Sequence, residues 1–160
     1  MAGQIVERAG GAANLALVGI RRGGVPLAAT LARHIEELER VRVPVGAVDI
    51  ALYRDDASTA LPKPQIGRSE IPFEVKSHRI VLVDDVLYTG RTVRAALDAL
   101  LDYGRPRKIE LAVLVDRGGR ELPIAPDFVV KVADIADSDR IDVVSDASGY
   151  VAYVYPGTPS

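Results

Sequence analysis

The chain has 160 residues, of which 26% are charged and 48% hydrophobic, and this length and composition predict one globular domain over residues 1–160. Twenty Lys and Arg side chains oppose twenty-two Asp and Glu, so the balance excludes a general attraction to nucleic acids or membranes. The charge is uneven, because residues 121–160 carry two basic and seven acidic side chains. An anionic ligand is therefore expected to bind within the first 120 residues.

Residue types exclude several further classes of protein. The chain has no cysteine, which rules out thiol catalysis, disulfides and thiolate metal sites, and its two histidines argue against a zinc site. No apolar run approaches the roughly 20 residues that a membrane helix needs, and the first residues, MAGQIVERAGG, do not resemble a secretion signal. We therefore expect a cytoplasmic protein without a membrane partner.

The first predicted unit is a strand, a loop and a helix. Leu15 to Ile20 is an apolar run that predicts a buried strand, and Arg21 to Gly24 close it. Pro26 suits the first turn of a following helix, where its missing N–H has no cost. The apolar residues that share one face of this helix are Leu27, Leu31, Ile35 and Leu38.

A second strand and a long loop are predicted next. Val43 to Tyr53 has the character of a strand. Arg54 to Lys76 is polar, contains three prolines and has little periodicity, so it is predicted to be a mobile loop or lid.

The pattern of strand and helix then repeats. Ile80 to Val83 predicts a third strand that ends at Asp84 and Asp85, and Ile109 to Val115 predicts a fourth. Between them lies a predicted helix that Gly104 stops, with Pro106 just beyond. Its apolar face consists of Val93, Ala96, Leu97, Leu100 and Leu101.

This alternation favours an α/β fold with a doubly wound, mostly parallel sheet, because strands joined through helices are most simply parallel with right-handed crossovers. After Arg117 the alternation stops. Three short β segments follow, Phe128 to Val132, Ile141 to Val144 and Tyr150 to Tyr155, and they are predicted to form a small C-terminal β cap.

The candidate chemistry lies in residues 80–92, IVLVDDVLYTGRT. Ligands of open α/β sheets bind at the carboxyl ends of the strands, which is where this stretch places Asp84 and Asp85. Adjacent side chains of an extended chain point to opposite sides, so one acid can face a ligand while the other braces the loop. The next residues, Tyr88 to Thr92, offer backbone N–H groups and hydroxyls at a helix start, which suits a phosphate.

Other interpretations of this stretch are weaker. If Asp85 were a helix cap and Gly90 an ordinary turn, the neighbouring acid and hydroxyls would have no role. A Walker loop requires G-x-x-x-x-G-K-[ST], but here Asp85 occupies the first glycine position and Arg91 replaces the lysine. A phosphorylated receiver domain carries its paired acids after the first strand and lacks the glycine and hydroxyl cradle.

The segment VLVDDVLYTGRT resembles the phosphoribosyl pyrophosphate signature of type I phosphoribosyltransferases. More narrowly, LVGIRRGGVPLA, VDIALYRDD, YGRPRKIELAVLVDRG and RELPI resemble the PyrR family, bifunctional pyrimidine-operon attenuators with uracil phosphoribosyltransferase activity. The resemblance runs from Leu15 to Asp127 and implies the type I phosphoribosyltransferase fold.

The resemblance also implies roles for individual residues. Asp84 and Asp85 would bind the two ribose hydroxyls, and with Arg22 they are the predicted catalytic residues. The 5′-phosphate would be bound by Tyr88, Thr89, Gly90, Arg91 and Thr92. The pyrophosphate loop would consist of Arg21, Arg22 and Gly23, with Arg54 at the start of a loop that closes over it. The segment that covers the base would begin at Val115, Asp116 and Arg117.

The implied reaction is displacement of pyrophosphate from C1 of the sugar by a uracil nitrogen, which forms UMP. Mg²⁺ would bind the pyrophosphate and ribose oxygens, and no protein ligand to the metal is predicted. Purine-using relatives commonly carry an Asp at the position of Tyr88, so the tyrosine argues against a purine substrate. No general base is evident, which leaves positioning and charge stabilisation as the sources of rate acceleration, and a modest turnover is expected.

The second implied function is binding of pyrimidine leader mRNA when UMP or UTP occupies the site, on a basic surface across a homodimer or higher homo-oligomer. Arg120 and Lys131 are the predicted RNA contacts. The sequence departs from the family at Gly119, where histidine is usual, at Ala125, where arginine is usual, and in Val129 to Val132, where the usual residues include glycine, lysine and asparagine. The N-terminal helix is also expected to be shorter than in the family.

Three alternatives remain open. The first is a phosphoribosyltransferase for another base, orotate, guanine or adenine, without an RNA-binding role. The second is a nucleotide-binding regulator with little catalysis. The third is a fold retained for assembly, which would dimerise but bind no nucleotide.

Overall fold

The structure is a computed structural model that describes residues 1–51, 53 and 69–158. Most of the loop predicted from residue 54 onward, including Arg54, lies outside the described residues. The helices are α1 (Ala2–Ala9), α2 (Gly24–Glu39) and α3 (Arg91–Leu101), with a short 3₁₀ turn at Val75–Ser77. The strands are β1 (Leu15–Ile20), β2 (Val45–Val48), β3 (Arg79–Leu87), β4 (Lys108–Asp116), β5 (Phe128–Val132), β6 (Arg140–Asp146) and β7 (Gly149–Tyr155).

Five strands form one parallel sheet in the order β2-β1-β3-β4-β5. Neighbouring strands are in register at Val18 and Leu82, and at Leu82 and Leu111. This sheet, with helices on both faces, confirms the predicted α/β class. From β1 the chain proceeds to one side of the sheet, to β2, and from β3 it proceeds to the other side, to β4 and β5. Ligands of such folds bind at this switch point between β1 and β3.

Alternate residues of the central strands enter two different cores, because successive side chains of a strand point to opposite faces. On one face, Leu17 and Val81 pack with α1 and α2, while on the other face Val18 and Leu82 pack with α3. All four side chains are fully buried. Burial on both faces explains why these strands are continuous apolar runs in the sequence.

Two predicted strand boundaries and one predicted core residue are wrong. β2 ends at Val48 rather than Tyr53, because the Asp49 carboxylate accepts the N–H of Ala51 and turns the chain. β3 does not stop at Val83 but continues to Leu87 through both acids. Leu38 is 61% exposed, since it lies in the last turn of α2 beyond the part of the helix that packs on the core.

The predicted C-terminal cap is smaller than expected. β5 joins the main sheet, where it pairs in parallel with β4 and buries Phe128 beside Ala112 and α1. Among the strands of the described residues, only β6 and β7 form a separate antiparallel hairpin. Among the described residues, no helix combines the length and hydropathy needed to cross a bilayer.

Candidate functional site

The acids at the end of β3 lie on opposite sides of the strand, as expected from its extended geometry. Asp84 is only 7% exposed, whereas Asp85 is half-buried. The Asp84 carboxylate accepts the N–H of Asp85 at 2.9 Å, and the Asp85 carboxylate accepts the N–H of Val86 at 2.8 Å. Both acids are thereby fixed by the backbone of the strand that carries them.

Burial raises the pKa of Asp84 well above its ordinary value, and the negative charge of Asp85 adds to the effect. A raised pKa favours the protonated form of Asp84, which can donate as well as accept a hydrogen bond. Such a carboxyl group suits the hydroxyl groups of a sugar better than an anion.

The loop between β1 and α2 packs directly on the acids. A side chain at Gly23 would overlap the Asp85 carboxylate, and one at Gly24 would overlap the carbonyl oxygen of Val83. Glycine is therefore required at both positions for this close approach. The approach places the backbone of Arg21 and Arg22, whose shared peptide bond is cis, at the same edge of the sheet as the acids.

The two arginines of this loop differ in their surroundings. Arg21 forms a long ion pair with Glu70, with 3.9 Å between Nη2 and Oε1. Arg22 is exposed. An exposed guanidinium on the loop that packs against the acids suits a diphosphate ligand.

An anion-binding loop follows β3. Gly90 has a φ of 94°, a conformation that favours glycine, and α3 begins at the next residue. The Thr89 hydroxyl accepts the N–H of Arg91 at 3.2 Å. Four further N–H groups have no protein acceptor among the described residues, and they belong to Thr89, Gly90, Thr92 and Val93.

The residues that carry these N–H groups line a cavity of about 470 Å³. The cavity is lined by residues 86–93 together with Asp84 and Glu121. Unpaired backbone donors at the positive end of a helix are a general site for phosphate groups. The structure thus brings the predicted acid Asp84 and the predicted cradle, Tyr88 to Thr92, to one cavity.

Glu121 is a residue of this cavity to which the sequence assigned no role. Its carboxylate accepts a hydrogen bond from Arg91 Nε at 2.6 Å. The pair places a negative charge beside the cradle and compensates it with the neighbouring guanidinium. In the sequence Glu121 is visible only as part of the segment RELPI, thirty residues from Arg91.

Arg117 is buried behind Tyr88. Its guanidinium lies 3.9 Å from the centre of the Tyr88 ring and donates to the carbonyl oxygens of Ala136 at 3.1 Å and Asp139 at 2.8 Å. Its Nε is buried without a hydrogen-bond partner. Val115 is also buried, within β4, and does not line the cavity.

Arg120 is bonded within the protein. Its guanidinium pairs with Asp116 at 2.7 Å and also donates to the carbonyl oxygens of Ile124 at 2.7 Å and Tyr88 at 2.8 Å. The hydrogen bond from Arg120 lowers the pKa of Asp116. Lys131, the other predicted RNA contact, is exposed on the edge strand β5.

A larger cavity, of about 930 Å³, lies between α2 and residues 40–45, with Pro72 and Phe73 at its other side. It contains neither the acid pair nor the anion-binding loop. We place the functional site in the smaller cavity, because unpaired N–H donors and a buried acid converge only there among the described cavities.

Comparison with known proteins identifies the family and the fold. Residues 1–144 match the family model described as Phosphoribosyl transferase domain. A purine phosphoribosyltransferase from Pyrococcus horikoshii superposes with a TM-score of 0.61 at 25% identity, covering 83% of this chain and 78% of that one. The hypoxanthine phosphoribosyltransferase of Trypanosoma cruzi, at 20% identity, shares the fold with a TM-score of 0.65 over 94% of this chain and 86% of that one.

The fold and the site thus define a protein of the phosphoribosyltransferase class. Curated relatives narrow this class. A protein of Roseiflexus sp. is 57% identical over 141 residues, covering 88% of this chain and 77% of the relative, and one of Geobacter sulfurreducens is 53% identical over 148 residues, covering 92% and 84%. Both are named bifunctional protein PyrR, and the chain belongs to the PyrR family. The predicted family and fold class are confirmed.

Proposed function

We propose that the chain transfers the phosphoribosyl group of phosphoribosyl pyrophosphate to uracil, forming UMP and pyrophosphate. One observation carries the proposal: a buried acid at the end of β3 and four unpaired N–H groups of the next loop line the same cavity. This arrangement provides acceptors for ribose hydroxyls and donors for a 5′-phosphate at the spacing that one strand end and one helix start allow.

The residues have separate roles in this proposal. Asp84 and Asp85 bind the ribose hydroxyls and stabilise positive charge that develops on the sugar ring. The amides and hydroxyls of the loop from Tyr88 to Thr92 bind the 5′-phosphate. Arg21, Arg22 and Gly23 bind the pyrophosphate that leaves. The family resemblance implies the same ligand for Arg54, which lies outside the described residues.

The base belongs beside Tyr88, because its ring joins the cavity to the segment after β4. Tyr88 has no carboxylate that could exchange a proton with a purine, which favours a pyrimidine. Asp116 and Arg117 shape this end of the site, and Val115 supports them from within the sheet. The acceleration then comes from holding the two substrates in line and from charge stabilisation.

We propose that Mg²⁺ enters the site with phosphoribosyl pyrophosphate. Among the described residues, no three His, Asp or Glu side chains lie close enough together to hold a metal ion. The ion would therefore take most of its ligands from pyrophosphate and ribose oxygens, with the acid pair nearby. When bound, it would make the diphosphate a better leaving group.

The reaction is tested with purified protein, phosphoribosyl pyrophosphate, Mg²⁺ and uracil, with UMP measured by chromatography. Orotate, guanine and adenine are offered in separate reactions and in competition with uracil. We expect UMP as the main product and a large loss of activity in Asp85→Asn. Asp98→Asn, an exposed acid on the outer side of α3, is the matched control. No UMP above background, or a preference for another base, would overturn the proposed activity.

We further propose the regulatory function that the family resemblance implies, binding of pyrimidine leader mRNA that UMP or UTP strengthens. A homodimer or higher homo-oligomer would provide the extended surface that RNA requires. Exposed apolar residues on the edge strand β5, Val130 at 63% and Val132 at 66%, support an interface between copies. Both partners are intracellular molecules, so the proposal places the protein in the cytoplasm.

The regulatory proposal is tested by titrating a pyrimidine leader transcript and a scrambled transcript, each with and without UMP. We expect tighter binding of the leader transcript when UMP is present, and Lys131→Gln should weaken it. Equal binding of both transcripts, regardless of nucleotide, would contradict the proposal. Light scattering on the same samples determines the oligomeric state.

A further inference from the structure

The anion-binding loop is attached to the segment that follows β4, residues 116–124. Leu87 O accepts the N–H of Arg117 at 3.0 Å. Two residues further on, Thr89 O accepts the N–H groups of Glu121 at 2.9 Å and Leu122 at 3.2 Å. These contacts are made by backbone groups, so they do not depend on the identity of the side chains.

The carbonyl between them depends on a side chain. Tyr88 O accepts a hydrogen bond from Arg120 Nη1 at 2.8 Å, so three consecutive carbonyl groups point towards the 116–124 segment. The guanidinium is itself fixed by Asp116 at 2.7 Å and by the Ile124 carbonyl oxygen at 2.7 Å. A planar guanidinium with several fixed donors holds its acceptors in a defined geometry, which a flexible ammonium does not.

The orientation of a carbonyl determines that of the next N–H, because the two are antiparallel in a trans peptide. Since the Tyr88 carbonyl points to Arg120, the Thr89 N–H points away from the 116–124 segment. Thr89 N–H is one of the donors that have no protein acceptor among the described residues, and Thr89 lines the cavity. Rotation of this single peptide would replace a donor by a carbonyl oxygen, which repels a phosphate.

We propose that Arg120 is a positioning residue of the phosphate cradle, which holds the Tyr88–Thr89 peptide so that the Thr89 N–H faces the bound phosphate. This role differs from the RNA contact predicted from the sequence. Arg120 has a side chain that is 23% exposed and donates to four acceptors of its own chain. Its effect is on the affinity for phosphate-bearing ligands rather than on the base. The kinetic part of the test rests on the proposed uracil transfer, whereas the binding part does not.

The test uses the full chain with Arg120→Gln and Arg120→Lys. Binding of ribose 5-phosphate is measured by calorimetry, and the KM values for phosphoribosyl pyrophosphate and uracil are measured separately. We expect Arg120→Gln to weaken ribose 5-phosphate about tenfold and to raise the KM for phosphoribosyl pyrophosphate by a similar factor. The KM for uracil should rise by a clearly smaller factor than the KM for phosphoribosyl pyrophosphate. Arg120→Lys should restore part of the affinity, because an ammonium can still donate to one of the acceptors.

Arg94→Gln is the matched control, since Arg94 pairs with Asp98 on the exposed side of α3, the helix that follows the anion-binding loop. A purely structural role for Arg120 would reduce the folded fraction and kcat but leave both KM values and the ribose 5-phosphate affinity unchanged, and that result would overturn the inference. If Arg120→Gln does not fold, Arg120→Lys decides the question by the same comparison. If the wild-type chain forms no UMP, the proposed function fails, while the calorimetric comparison still tests Arg120.

Discussion

The buried carboxylate of Glu110 on β4 connects α1, β3 and β4 through ion pairs. The Glu110 side chain is 2% exposed and accepts two hydrogen bonds from Arg79, at 2.7 and 2.8 Å. Arg8 of α1 and Lys108 of β4 each approach it to 3.3 Å. We expect Glu110→Gln to destabilise the fold. The amide has one oxygen and can accept only one of the two hydrogen bonds from Arg79, and it leaves the positive charge of Arg79 uncompensated.

The magnitude follows from the exposure of the three cations. Arg8 and Lys108 side chains are 47% and 50% exposed, so water replaces their partner at little cost. Arg79 is only 21% exposed and loses charge-assisted hydrogen bonds, which puts the expected loss of unfolding free energy at about 2–3 kcal/mol. For a domain of this size the melting temperature should fall by about 4–12 °C.

The effect should depend on pH in a defined direction. The hydrogen bond from Arg79 lowers the pKa of Glu110 below its ordinary value of 4.5. The ionised side chain therefore contributes stability above that value, and the contribution is lost as the pH falls through the lowered pKa. Thermal unfolding followed by circular dichroism, from neutral pH down to about pH 3, measures this.

Asp98→Asn is the matched control for Glu110→Gln, because it removes an exposed ion pair with Arg94 and should cost no more than about 0.5 kcal/mol. Two results would refute the reasoning. The first is a loss at neutral pH no larger than that of the control. The second is a difference in melting temperature between wild type and Glu110→Gln that stays the same from neutral pH down to about pH 3.

Three further predictions concern the cavity. Asp84→Asn should weaken UMP binding in calorimetry but raise the melting temperature at neutral pH, because burial raises the pKa of Asp84 and penalises its ionised form. This gain in stability should vanish below the ordinary Asp pKa near 3.8, and a variant that loses stability at neutral pH would contradict the prediction. Gly119→Ala should lower the free energy of unfolding by about 1–2 kcal/mol, because Gly119 has a φ of 72° and a Cβ atom there would overlap the Tyr88 ring. An unchanged midpoint in denaturant unfolding would show that the ring moves freely. Thr92→Val should raise the KM for phosphoribosyl pyrophosphate without lowering stability, and a normal KM would remove Thr92 from the cradle.

The sequence predicts the main sheet well because its strands are buried on both faces. Leu15–Ile20 is a strand with the predicted bounds, since the apolar run stops where the chain leaves the core. The pattern predicts β3 too short for a physical reason. Asp84 and Asp85 belong to the strand although they are charged, and an apolar pattern ends at the first charged residue. The pattern predicts β2 too long, because Tyr53 packs on the core from outside the strand.

The site could be predicted as far as it is local. The acids and the cradle occur within a few residues of one strand end, so spacing along the chain was sufficient to place them together. Glu121 and Arg120 could not be placed in this way, because their contacts with Arg91 and Tyr88 span thirty residues or more and depend on the path of the 116–124 segment. The pairing of β5 with β4 could not be predicted either, because it is stabilised by distant contacts between Phe128 and the core residues of α1.

The two proposed functions are physically linked if the same cavity serves both. A nucleotide that strengthens RNA binding must, by thermodynamic necessity, be bound more tightly in the presence of that RNA, and by the same factor. The 116–124 segment is a reasonable element for this coupling, because it contacts the anion-binding loop through Glu121 and Arg120 and includes Gly119, which lies against the Tyr88 ring. Measuring UMP affinity with and without leader RNA, beside RNA affinity with and without UMP, gives two coupling factors. Equal factors above one would establish the link, whereas a factor of one in both directions would separate the enzyme from the regulator.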